Sequence, residues 1–173
     1  LFYLLIMAAS FSVNSQTPDS TALILIDIQD FYFPEGSVPL VNPEPAAQKA
    51  AELLAFFRES KMLVVHVGHQ AKSGTGFHEL IRPLPGEKIF MKKEVNAFLN
   101  TGLDGYLRDN DIKNLVLCGM QTHMCLEGAA RAAHDLGYQC IIAADACATR
   151  DLTFGETTVK AADVHASTLA TLK

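Results

Sequence analysis

Four apolar runs of six or seven residues recur along this chain and limit what it can fold into. They are "ALILID" (22–27), "MLVVHVG" (62–68), "NLVLCG" (114–119) and "QCIIAAD" (139–145). Each is too short for a helix and rich in branched side chains, so each reads as a strand buried on both faces. "KIFM" (88–91) adds a shorter one. Helical patterns lie between them. "PEPAAQKAAELLAFFRES" (43–60) places Ala47, Ala50, Ala51, Leu54 and Phe57 on one face, and "TGLDGYLRDN" (101–110) gives a short second helix. "CLEGAARAAHDLGY" (125–138) carries a stripe of Ala129, Ala133 and Leu136 with Gly137 as its stop, and "TFGETTVKAADVHASTLATL" (153–172) gives a fourth helix. Strands alternating with helices predict an α/β protein: a three-layer α/β/α stack around a mostly parallel, Rossmann-like sheet.

In such a sheet ligands bind at the carboxyl ends of the strands. Asp27, Lys92, the stretch 119–125 and Asp145 all follow or end predicted strands, so polar residues are expected to converge on one edge. The length of 173 residues fits one domain, expected over 21–173. With 49% hydrophobic and 19% charged residues the chain is globular rather than disordered. A formal charge of −5 and the lack of any basic stripe exclude nucleic acid as an expected partner. No apolar run reaches the roughly 18 residues needed to span a bilayer.

The N-terminal "LFYLLIMAASFSVNSQ" has the apolar character of a signal-peptide core, with Val13 and Ser15 as small residues before a cleavage site at Gln16. Residues 1–15 are therefore read as the remnant of a signal peptide whose first residues are missing, and 16–20 as a linker. The protein is expected to be exported and free of the membrane after processing. The alternative is a packed N-terminal helix on a cytoplasmic protein. The four cysteines match no common disulfide framework: Cys118 and Cys140 sit in apolar runs, and Cys147 falls in an expected loop.

Three residues carry candidate chemistry. Thr122 is a plausible N-cap, which puts Cys125 in the first turn of a helix, where free N–H groups favour a thiolate. A buried structural thiol is the competing reading, and local sequence does not separate the two. Asp27 ends an apolar run, where an acid is costly to bury unless a cation pairs with it. Lys92 and Lys93 offer such a cation, although two solvated lysines is the commoner reading of the dipeptide. His66, His69 and His78 lack helical metal spacing, so structural or substrate-facing roles are expected and no metal site. "KSGTGF" (72–77) matches no phosphate-binding loop.

Together, "LILIDIQDFY", "KKEVNAFLNTGLDGYL", "LVLCGMQTHMCLEGAARAAHDLGY" and "ADACAT" make the chain resemble the isochorismatase-like cysteine hydrolases, from about Thr21 to the C-terminus. The resemblance implies a triad of Asp27, Lys92 and Cys125, with Lys92 chosen because it stands six residues before Phe98. It implies a cis peptide between Met120 and Gln121, and an oxyanion hole from the backbone N–H groups of Gln121 and Cys125. Phe31, His69, Phe77 and Asn96 are expected in the substrate pocket. Nicotinamidases of the family carry a metal-binding Asp-x-His motif after the second strand; "HVGHQAKSGTGFHEL" lacks it, so neither metal nor other cofactor is expected. Isochorismatases proper lack the cysteine and cleave a vinyl ether, so Cys125 favours hydrolysis of a carbon–nitrogen bond in a small amide or ureido compound. The resemblance implies a fold that ends in a sixth strand after the last helix; the sequence stops at Leu172-Lys173, so that edge strand is expected to be missing from this chain. The partners expected are a small-molecule substrate and further copies of the chain. A thiol-redox protein and a non-catalytic binding protein on the same fold are the alternatives.

Overall fold

The structure is a computed structural model and describes residues 20–173. The leader and nearly all of the linker thus lie outside the described residues. Strand β1 (Thr21–Ile26) is buried at every position, which requires cover on both faces and a place inside the sheet. It is the central strand. With β2 (Leu63–His69), β3 (Lys88–Lys92), β4 (Asn114–Met120) and β5 (Gln139–Ala148) it forms a five-stranded sheet in the order β3-β2-β1-β4-β5. All four neighbouring pairs are parallel. Helices flank the sheet in the expected three-layer α/β/α arrangement. No helix among the described residues is long and apolar enough to cross a membrane.

Helix α1 (Pro43–Glu59) opens on a proline, whose missing N–H costs nothing there. Its buried stripe of Ala46, Ala47, Ala50, Leu54 and Phe57 runs across β5, β4, β1 and β2. The alanines let the helix axis lie close to the strands. Helix α2 (Leu103–Asp109) buries Leu103 and Leu107. Helix α3 (Glu127–Asp135) continues from a π-helical turn, Thr122–Leu126, and buries Ala129, Ala130 and Ala133.

Two expectations are corrected here. The fourth helix, α4, spans only Ala161–Thr171. The preceding residues form a hairpin of β6 (Leu152–Phe154) and β7 (Thr157–Val159), turned at Gly155 with φ 59°. Thr and Val side chains favour the pleat, and Thr153 and Thr158 hydrogen-bond across it at 2.9 Å. The second correction concerns β5. Its register with β4 jumps between the pairs Leu117–Ile142 and Gly119–Cys147, a bulge that carries the strand on to Ala148. Asp145 is exposed on that bulge and does not join the polar edge, while Cys147 is buried in the strand rather than lying in a loop. Cys140 is only half-buried, and all four cysteines are free thiols.

Away from the sheet's carboxyl edge lies a partly buried ionic cluster. His66 on β2 is fully buried, and its Nε2 lies 2.8 Å from Glu87, which also takes Arg58 Nε at 2.7 Å and the Leu84 N–H at 2.9 Å. His66 Nδ1 is buried with no partner. That geometry suits a neutral ring donating from Nε2, because a proton on Nδ1 would be stranded. Burial accordingly lowers the His66 pKa from its ordinary 6.5, more than Glu87 raises it. Glu87 itself falls to about 2: burial would raise it, but Arg58, the Leu84 N–H and His66 together overcome that. In both groups the unfolded chain takes up protons before the folded one, so acid favours unfolding. Denaturant unfolding should show stability declining as pH falls below 6.5 and on toward 2. Glu87→Gln should flatten the part below the ordinary carboxylate value of 4.5. An identical acid limb in that variant would contradict the assignment.

Candidate active site

The chain leaves the central strand β1 toward β2 and β3 on one side, and reaches β4 and β5 on the other. The carboxyl ends of β1 and β4 therefore flank the point where strand order reverses, the usual ligand crevice of such sheets. Gly119 makes the close approach possible there. Its φ is 132°, and a Cβ at this position would run into the Ile26 carbonyl. The next bond, Met120–Gln121, is cis.

Asp27 follows β1 in the left-handed backbone region, with φ 51°, and its N–H donates to the Val67 carbonyl at 2.8 Å. The turn aims its carboxylate across the ends of the strands. Lys92 is the last residue of β3, in register with His69 at the end of β2. Both Asp27 and Lys92 are essentially inaccessible, at 0% and 1% exposure. Lys92 Nζ meets Asp27 Oδ2 at 2.6 Å, Cys125 Sγ at 3.1 Å, His69 Nδ1 at 3.2 Å and the Glu94 carbonyl at 3.2 Å. Lys93 is exposed.

Cys125 reaches this cluster from the π-helical turn after β4. The expected N-cap role of Thr122 is not found. Thr122 lies inside the turn, and its Oγ1 pairs with His165 Nδ1 on α4 at 3.0 Å. The thiol is not poised as a thiolate: burial first, then the Asp27 charge, push its pKa up to about 12 against the pull of Lys92. Burial also raises the Asp27 pKa, with Lys92 opposing. Asp27, His69 and Cys125 offer O, N and S atoms all within 4.8 Å of one another, the spacing of metal ligands. The Lys92 ammonium already sits among them, so the resident cation of this site is a lysine.

Of the four expected pocket residues, His69 bonds directly to this cluster. Phe31 is buried against Tyr32, ring centroids 4.2 Å apart. Phe77 packs edge-on against His66 at 5.6 Å. Asn96 accepts the Phe98 N–H at 2.8 Å and so holds its own turn. Several side-chain contacts around the site were not anticipated. Buried Gln29 donates to the His69 and Thr75 carbonyls at 3.2 and 2.8 Å and accepts the His69 N–H at 2.7 Å, clamping the segment after β2. Its signal was present: an amide side chain within "LILIDIQDFY", two residues past Asp27. Tyr32 takes Gln121 Nε2 at 3.4 Å, and His123 Nδ1 lies 2.6 Å from Thr149 Oγ1. These pairs, like Thr122–His165, join residues far apart in sequence and left no local signal.

The isochorismatase domain model matches residues 21–172, nearly all of the described chain. The chain belongs to the isochorismatase family. It is 42% identical to the isochorismatase family protein YddQ of Bacillus subtilis, over 88% of this chain and 91% of that one. A crystal structure from Oleispira antarctica, assigned to the isochorismatase hydrolases, superposes with a TM-score of 0.87 at 43% identity, covering 91% of both chains. N-carbamoylsarcosine amidase from Thermoplasma acidophilum matches with a TM-score of 0.71 at 25% identity, over 76% of this chain and 85% of that one. Family membership brings this chain among hydrolases, some of them amidohydrolases.

The ion pair itself makes a prediction. Removing the ammonium leaves the Asp27 carboxyl buried without its counter-ion, which costs about 3–5 kcal/mol. Lys92→Ala should lose stability on that scale in urea unfolding, while Lys93→Ala stays within about 0.5 kcal/mol of the parent. Equal losses would show that Lys92 does not neutralise Asp27.

Proposed function

We propose that this protein is a cysteine hydrolase that cleaves the carbon–nitrogen bond of a small amide or ureido compound through Asp27, Lys92 and Cys125. The observation that carries this reading is one ammonium held between a carboxylate and a thiol, at 2.6 and 3.1 Å, at the switch point of the sheet. A buried carboxylate lifted above its ordinary range is a stronger proton acceptor, which suits a general base for a reluctant thiol.

Asp27 takes the proton from Cys125 Sγ as the sulfur attacks the substrate carbonyl carbon. The carbonyl π electrons move to oxygen, and the backbone N–H groups of Gln121 and Cys125 hold that oxyanion. Lys92 offsets the charge on sulfur and on Asp27 throughout. As the oxyanion collapses, the C–N bond breaks and Asp27 gives its proton to the departing nitrogen, leaving a thioester. Water then loses a proton to Asp27 and adds to the thioester carbon. Collapse expels the sulfur, which regains the proton, and the acid product leaves. The substrate scope of N-carbamoylsarcosine amidase, as its name states it, supports the choice of bond.

His69 sets a pH limit on this chemistry. Its Nδ1 faces an ammonium that can only donate, so the ring must be neutral there with its proton on Nε2. Burial, then Lys92, lower its pKa from the ordinary 6.5. Protonation would set two donors against each other and loosen Lys92. Activity should therefore fall in acid as His69 and the Asp27 base take up protons, and His69→Gln should shift that limb.

The function is tested by screening small amides and ureido compounds for ammonia release. Wild-type protein should turn over at least one, and Cys125→Ala should lose about 10³-fold or more in kcat while remaining folded. Undiminished turnover in that variant would refute the nucleophile.

A further inference from the structure

Tyr32 and Gln121 sit beside the triad, and the chemistry above uses neither side chain. Gln121 is 3% exposed and Tyr32 6%. The two meet through Gln121 Nε2 and the phenol oxygen, at 3.4 Å. Three groups are left over, the second N–H of Gln121 Nε2 among them. Gln121 Oε1 is buried with no donor. The phenol oxygen accepts the Nε2 bond, and its own proton meets no acceptor among the described residues. Buried polar groups without partners are rare, and they are costly unless something supplies the missing bonds. Gln121 follows the cis bond, and its carbonyl accepts the N–H groups of Met124 and Leu126, which flank Cys125. The unmet pair is therefore built into the turn that carries the nucleophile. Tyr32 also lies within electrostatic reach of both Cys125 and Asp27.

We propose that Tyr32 and Gln121 form a specificity subsite that reads an uncharged amide edge of the substrate, next to the bond that is cleaved. The pair presents one acceptor, Gln121 Oε1, beside two donors, the phenol O–H and the second amide N–H. Reversing the Gln121 amide still leaves an acceptor, the phenol oxygen, beside the two amide N–H donors. The complementary ligand edge is a carbonyl beside an N–H, as in a carboxamide or ureido group. A carboxylate offers only acceptors, and a dialkylated amide lacks the donor, so each leaves one buried group unmet. With the scissile carbonyl in the oxyanion hole, the substrate class is a diamide, acylurea or ureido amide rather than a ureido acid. This inference rests on the cysteine-hydrolase reading for its chemistry but not for its binding.

The probes are malonamide, malonamic acid and N,N-dimethylmalonamide, each of which keeps a primary amide to be cleaved. Wild-type kcat/KM should favour malonamide by about 100-fold or more, because a site built for a hydrogen bond strongly rejects a ligand that lacks it. Gln121→Leu and Tyr32→Phe should each shrink that ratio to within about tenfold. Calorimetry on Cys125→Ala protein should show the same order of binding without turnover. Selective binding with no hydrolysis by the wild type would keep the subsite and sink the catalytic reading. Equal rates for the three probes, or no binding of any, would overturn the subsite. A preference for malonamic acid would overturn it too, and would point to Arg150, an exposed cation whose charge is felt at Tyr32 and His123.

Discussion

A single buried ammonium organises this protein's carboxyl edge. Lys92 ends an edge strand, yet its Nζ rests against an aspartate that follows the central strand, two places away in the sheet. The side chain must cross roughly two strand spacings of about 4.8 Å each, passing over the end of β2. Only a long cationic side chain can do this, and only with acceptors all around its head. Cys125, His69 and the Glu94 carbonyl supply them, and Asp27 supplies the opposing charge at 2.6 Å. Three strands and the nucleophile turn thus meet at one atom. A fully buried lysine or aspartate alone would be strongly unfavourable, and each makes the other tolerable.

The same enclosure shapes the reactivity. A thiol at the start of a helix is often pictured as pre-ionised, but burial and the Asp27 carboxylate oppose this at Cys125, whose pKa rises to about 12. The thiol and carboxyl form a coupled unit, in which the sulfur is best activated as it attacks rather than beforehand. Gly119 belongs to the same design. Its left-handed φ lets β4 close on the Ile26 carbonyl, which brings the nucleophile turn up to the end of β1.

Much of this was legible in the sequence because burial leaves a plain mark. The runs of branched residues foretold the strands, and an acid at the end of one of them foretold a paired carboxylate. Lys92 and Lys93 were inseparable by their local chemistry. Strand alternation now separates them, since β3 buries Phe90 and Lys92 and turns Met91 outward. Thr122 looked like a cap, but a π-helical turn and a distant histidine gave it another partner. The residues before Ala161 looked helical only when joined to the helix that follows them. Asp145 was misplaced because a bulge changes which way a strand residue points, and no composition signals a bulge. Gln29, Tyr32 and Gln121 act through contacts spanning 40 to 89 residues, which no local pattern encodes.

The proposed chemistry requires Cys125 to carry the acyl group. The direct measurement is acid quenching of the protein during turnover of an amide it accepts, followed by peptide mass mapping. An acyl mass on the peptide containing Cys125, absent from Cys118, Cys140 and Cys147 and lost in Cys125→Ala, is the predicted result. Turnover with Cys125 unmodified at every quench time, and with undiminished activity after its removal, would contradict it.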